Sequence, residues 1–235
     1  MKKTKKIILV ALTLFLIALP EAARAGPIDK LYYLAAGELR SVGFDGTSFT
    51  GSFSTLATPH PEMSGISYDA ASDILYYLAA GELRSVGFDG TSFMGSFLTL
   101  AVPVPGMSGI SYDAASDILY YLAADELRSV GFDGTAFIGS FSTLAVPAPG
   151  MSGISYDAAS DTLYYLAAGE LRSVGFDGVS FIGSFSTLAI PTPGMSGISI
   201  FRTADLTEVP EAAPLSLVVM GLAALGLAAR RRDRR

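Results

Sequence analysis

Apolar and polar positions alternate in short runs along most of this chain, and the pattern returns every 44 residues. The stretch "LYYLAAGELRSVGFDG" starts at Leu31 and recurs almost unchanged at Leu75, Leu119 and Leu163. Each unit predicts four short strands. In the second unit these are Gly65–Tyr68 ("GISY"), Ile74–Ala79 ("ILYYLA"), Glu82–Phe88 ("ELRSVGF") and Ser92–Phe97 ("SFMGSF"). The second strand is apolar on both faces, as a strand sandwiched between neighbouring sheets must be. Ser and Gly alternate with Phe93 and Phe97 in the fourth, the mark of a more exposed outer strand. No window here places apolar residues at helical spacing.

The breaks between strands carry turn chemistry. Asp89-Gly90 is a hairpin signal because Gly accepts positive φ without steric cost. Ala80-Gly81 makes a second turn, with Asp125 in place of the Gly in the third unit. "DAASD" (Asp69–Asp73) is a longer hairpin loop, and the prolines of "AVPVPG" (Ala101–Gly106) exclude a central strand there.

The phase of the repeat predicts how the ends meet. The first unit begins with its second strand, at Lys30-Leu31, and the last ends with a spare first strand, Gly197–Phe201. Pairing Gly197–Phe201 with Leu31–Ala36 would complete four four-stranded sheets and close a ring without free ends. The expectation is therefore all-β: a four-bladed β-propeller, with an open array or a ring shared by two chains as the alternatives. The unit "MSGISYDAASDILYYLAAGELRSVGFDGTSF" resembles the blades of NHL and YWTD propellers, although the Tyr-Trp-Thr-Asp signature is absent.

The two ends differ from the middle. Residues 1–25, "MKKTKKIILVALTLFLIALPEAARA", combine four lysines, an apolar core from Ile7 to Leu19 and an Ala23-Arg24-Ala25 site. That is the pattern of a secretory signal peptide, with cleavage after Ala25 by signal peptidase. The repeat domain then spans 26–202 and a linker 203–208. Residues 209–235 hold an uncharged apolar run, Leu215–Ala229, followed by an arginine cluster. The run is roughly 22 Å long as a helix, short for a bilayer span, and the arginines mark its cytoplasmic end. The order of motif, apolar run and arginines resembles the PEP-CTERM sorting segment of Gram-negative bacteria. Val209, Pro210 and Glu211 match that motif, and Ala212 replaces its second proline. The resemblance implies an inner-membrane-anchored precursor with periplasmic repeats, an exosortase as processing partner, and delivery to the cell surface or to an extracellular polysaccharide matrix.

Charge and composition narrow the function further. Residues 1–25 and 230–235 hold ten of the 16 basic and two of the 22 acidic residues, which leaves about −14 on the middle. Such a surface repels phosphate backbones and disfavours nucleic acid as a partner. There is no Cys, so stability rests on packing rather than disulfides. The single His60 lies between prolines in an inter-unit loop, with Val104, Ala148 and Thr192 at the equivalent places. Any Ser-His-Asp arrangement would have to use it, and zinc sites of the usual N/S type lack ligands.

The repeated pairs Asp69/Asp73, Asp113/Asp117 and Asp157/Asp161 are weak candidates for Ca²⁺, which wants six to eight oxygens. Turn formation is the commoner use of such residues. The doubled tyrosines, Tyr32/Tyr33 and their copies, would stack on sugar rings if exposed and fill the inter-blade core if buried. No catalytic residue and no cofactor are assigned. The expected role is a non-catalytic binding or structural module of the envelope or exopolysaccharide matrix. The alternative is an enzyme acting on extracellular polysaccharide or lactones with carboxylates at the ring centre. Near-identical units predict an undifferentiated central mouth.

Overall fold

A computed structural model describes residues 27–57, 62–101, 106–145, 150–189 and 194–203. The signal segment, the loop holding His60, the sorting motif and the arginine-ended tail lie outside the described residues. Among the described residues no helix is long and apolar enough to cross a membrane.

Among the described residues sixteen strands make four sheets of four. The first blade holds β1 (Lys30–Ala35), β2 (Glu38–Phe44) and β3 (Phe49–Ala57). The second holds β4 (Gly65–Asp69), β5 (Ile74–Ala79), β6 (Glu82–Phe88) and β7 (Phe93–Ala101). The third runs through β8 (Met107–Asp113), β9 (Ile118–Ala123), β10 (Glu126–Phe132) and β11 (Phe137–Ala145). The fourth comprises β12 (Met151–Asp157), β13 (Thr162–Ala167), β14 (Glu170–Phe176) and β15 (Phe181–Ala189). The last strand, β16 (Met195–Phe201), returns to the first sheet and pairs antiparallel with β1, Leu31 opposite Ile200 and Tyr33 opposite Ile198. One chain therefore closes its own four-bladed propeller, and neither the open array nor a two-chain ring describes it.

Local chemistry explains each hairpin. Ala80 and Gly81 both have positive φ, +52° and +73°, the geometry of a two-residue hairpin turn that matches strand twist. At the Asp89 loop the carboxylate accepts hydrogen bonds from the Thr91 and Ser92 backbone N–H groups, both at 2.8 Å. The outer strands run four residues beyond the expected end at Phe97, to Ala101. They are also irregular: Ser85 lies opposite Leu98 and Gly87 opposite Met94, so β7 carries two extra residues there. Gly95, at φ +72°, makes the bulge. The arched strand explains the glycine at Gly87 as well. A Cβ there would come within 2.7 Å of the Met94 carbonyl oxygen.

Burial follows the sheet faces. Between the first and second blades Tyr32, Leu34 and Leu39 meet Ile66, Leu75, Tyr77, Val86 and Phe88, and three equivalent clusters fill the other gaps. Both tyrosines of each pair belong to this core, Tyr32 and Tyr33 being 1% and 0% exposed. Neither is available to stack on a ligand.

Candidate functional site: the axis and the blade rims

Propellers commonly offer ligands the end of their axis, and here the axis is closed by the chain itself. The inner strands β4, β8, β12 and β16 contact one another around it. Gly65, Gly109, Gly153 and Gly197 form a ring so tight that a Cβ on any of them would sit 3.2 Å from the next glycine's Cα. One step along, Ser67, Ser111, Ser155 and Ser199 form a second, buried ring. Each hydroxyl oxygen accepts a hydrogen bond from a neighbouring blade's backbone. Tyr68 N–H donates to Ser199 Oγ at 2.9 Å, Tyr112 N–H to Ser67 and Tyr156 N–H to Ser111 at 2.8 Å, and Ile200 N–H to Ser155 at 3.0 Å.

Two residues further, the mouth carries Asp69, Asp113 and Asp157, with Phe201 in the fourth place. The expected uniformity of the mouth is broken here. The reason is that β16 ends the repeat: Arg202 stands where the earlier units have Ala70, Ala114 and Ala158. Its guanidinium grips both carboxylate oxygens of Asp157, with Nε donating to Oδ1 at 3.1 Å and Nη2 to Oδ2. Both residues are buried. Beside this seam Asp29 accepts the Thr203 backbone N–H at 2.5 Å. An open depression of about 360 Å³ lies next to it, lined by Asp45, Thr47, Ser160, Tyr164 and Arg202 among others.

The paired aspartates named as calcium candidates act as turn residues. Asp69 accepts the Ala71 N–H at 3.1 Å. Asp113 accepts the Ala115 N–H at 3.1 Å and the Ser116 hydroxyl at 2.5 Å. Asp73, Asp117 and Asp161 have φ of +53°, +54° and +48°, and their carbonyls accept the N–H of Phe88, Phe132 and Phe176. Their carboxylates accept the Tyr68, Tyr112 and Tyr156 hydroxyls at 3.5, 3.3 and 3.4 Å. Among the described residues no three His, Cys, Asp or Glu side chains are grouped to hold a metal ion.

A different constellation repeats on every blade. Arg84 donates through Nε and Nη2 to one oxygen of Glu82, at 3.0 and 2.7 Å, and the Thr99 hydroxyl donates to the same oxygen at 3.3 Å. The guanidinium holds the Glu82 carboxyl below its ordinary pKa. Beneath them lies the buried Tyr77, whose ring meets Phe97 edge-on at 6.1 Å. Phe97 is 45% exposed. The equivalents are Glu38, Arg40, Thr55 and Phe53; Glu126, Arg128, Thr143 and Phe141; and Glu170, Arg172, Thr187 and Phe185. Each station places a partly exposed aromatic ring beside hydrogen-bonding groups whose charges cancel. The clue in the sequence was the "ELR" beginning each third strand together with the phenylalanines of the fourth. The sequence alone does not reveal the station, because the pairing depends on which face each residue occupies.

No protein-family model matches this chain, and no curated protein matches it. Solved structures are similar in fold. The hemopexin-fold protein CP4 from cow pea is 9% identical with a TM-score of 0.51, over 70% of this chain and 91% of that one. The nidogen/laminin complex is 15% identical with a TM-score of 0.42, over 71% and 63%. A calcium-binding regucalcin from Agrobacterium tumefaciens is 13% identical with a TM-score of 0.41, over 74% and 62%. The chain thus spans less than two thirds of the length of the last two. At such identities the likeness concerns the propeller fold alone.

Proposed function

We propose that this chain is an exported, non-catalytic β-propeller that serves as a binding or structural module of the cell envelope or extracellular polysaccharide matrix. The observation that carries this is the fourfold repetition of the Glu–Arg–Thr–Phe station. An enzyme needs differentiated groups converging on one reacting atom. A polymer with a repeating unit is served by four like contacts, because linked weak contacts multiply into avidity. An aromatic face flanked by hydroxyl, carboxylate and guanidinium groups suits a sugar ring, which has apolar C–H faces and a polar edge.

The signal-like segment 1–25 and the Val209-Pro210-Glu211 tail support export and sorting, with anchorage of the precursor through the apolar run before an exosortase acts. The test combines binding and catalysis. The full chain is incubated with extracellular polysaccharide, and bound protein is measured for the wild type and for Phe53→Ala, Phe97→Ala, Phe141→Ala and Phe185→Ala, singly and together. Binding is expected to fall stepwise, with no release of sugar and no lactone turnover. The competing enzyme predicts turnover that is lost in Asp69→Asn, Asp113→Asn or Asp157→Asn while binding persists.

A further inference from the structure

The four outer strands are sheet edges: none has a partner beyond its own blade among the described residues. They differ at two exposed positions. Met94 of β7 corresponds to Thr50, Ile138 and Ile182, and Leu98 corresponds to Ser54, Ser142 and Ser186. Only β7 is apolar at both. Met94, Phe97 and Leu98 are 41%, 45% and 57% exposed, and Met94 and Leu98 share one face of the strand, opposite Gly87 and Ser85. No charged residue or proline interrupts β7, two devices by which edges usually block unwanted pairing.

We propose that β7 is a self-association edge, where a second copy of this chain packs its own β7 around a two-fold axis. Charge selects the occupant. The repeat domain, residues 26–202, carries a net charge of about −11, so two copies repel except where neither presents net charge. Strand β7 is uncharged, and the ion pair nearest to it, Arg84 with Glu82, is internally neutral. A two-fold contact sets each residue against its own kind, which an uncharged apolar strand tolerates. The bulge at Gly95 breaks the outward line of backbone groups, so the contact is made by side chains rather than by one continuous sheet.

Area sets the strength. An edge ~30 Å long and one sheet (~10 Å) thick offers roughly 300 Å² per copy. The total of about 600 Å² falls well below the ~1,200 Å² of a stable complex, so the dimer is weak and reversible.

Sedimentation velocity of the full chain from about 10 μM to 1 mM tests this, a span that brackets such affinities. The wild type is expected to show a concentration-dependent monomer–dimer equilibrium. The double variant Met94→Thr/Leu98→Ser turns β7 into the sequence of β3, which the fold already accommodates, and should weaken dimerisation at least about tenfold. The converse Thr50→Met/Ser54→Leu gives the chain a second such edge and should produce species larger than a dimer. All forms share the same terminal segments, so differences between them belong to the edges. Three results would each overturn the proposal: a wild type monomeric at 1 mM, as when a glycan rather than a second copy covers this edge; a dissociation constant unchanged in the Met94→Thr/Leu98→Ser variant; or a converse variant no larger than the wild type.

Discussion

Arg202 and Asp157 form a buried, two-pronged ion pair that ties the end of β16 to the end of β12. The pair anchors β16 beside the closure of the first blade, where β16 meets β1 by strand pairing alone. In the other three blades a hairpin loop joins the inner strand to the strand beside it. The chain leads into β16 from β15 of the fourth blade, but only strand pairing joins it to β1 of the first, and Asp29–Thr203 adds a tie across that junction.

Arg202→Ala should therefore destabilise the fold by about 3–5 kcal/mol, because it leaves the Asp157 carboxylate buried and unpaired. Asp157→Ala/Arg202→Ala should recover much of that loss, since neither charge is then stranded. Urea unfolding of the two variants and the wild type measures both. Equal losses in the single and double variants would refute the ion pair as the latch.

The glycines opposite the outer-strand bulges make a sharper steric test. A Cβ at Gly43 would lie 2.1 Å from the Thr50 carbonyl oxygen, and at Gly87, Gly131 and Gly175 the nearest carbonyl is 2.6–2.7 Å away. Each Gly→Ala substitution should cost roughly 1–3 kcal/mol, with Gly43→Ala the largest. Denaturant midpoints decide the order.

The two-residue hairpin turns (three Ala-Gly and one Ala124-Asp125) hold Ala36, Ala80, Ala124 and Ala168 at φ +52°, in the left-handed region where a side chain costs roughly 1–2 kcal/mol. Asn tolerates that geometry better. Ala80→Asn should stabilise the protein by roughly 0.5–1 kcal/mol, which corresponds to a rise of about 2–4 °C in Tm per kcal/mol for a domain of this size. A calorimetric scan reads it, and a lower Tm would count against the strain.

Alkali should unfold the propeller through its tyrosines. Burial pushes Tyr68, Tyr76, Tyr120 and Tyr164 up to about 12, against an ordinary value near 10. Folding thus favours the neutral phenol. The corresponding stability is fully present below pH ~10 and is lost as pH rises toward 12. Absorbance at the tyrosinate band should rise late and steeply, together with loss of the sheet signal. An ordinary, gradual titration near pH 10 in the folded protein would contradict the burial.

Acid acts in the opposite direction. Asp45 is held well below the usual carboxylate range by the Ser48 backbone N–H and by the Thr47 hydroxyl and N–H, and Asp89 is lowered by the Thr91 hydroxyl and the neighbouring backbone. These depressed values contribute stability above pH ~4 that fades as pH falls through them. Melting temperature measured from pH 6 down to pH 2 should decline, and Asp45→Asn should flatten that decline at its own loop.

The sequence alone determined the number of blades, the position of most strands and the way the ring closes. Those features rest on local chemistry repeated four times, namely alternation, Asp-Gly and Ala-Gly turns, and a spare strand at one end. The burial of both tyrosines in each pair was legible for the same reason, since an apolar strand within a stack of sheets has no exposed face. What only the tertiary structure decided lies between blades. The glycine and serine rings that close the axis, the Arg202–Asp157 latch and the Glu–Arg–Thr–Phe stations each join residues from different strands or blades, 17 to 45 positions apart or more. Which side chains meet there depends on strand register and on how closely neighbouring sheets approach, and no single stretch of the chain encodes either distance.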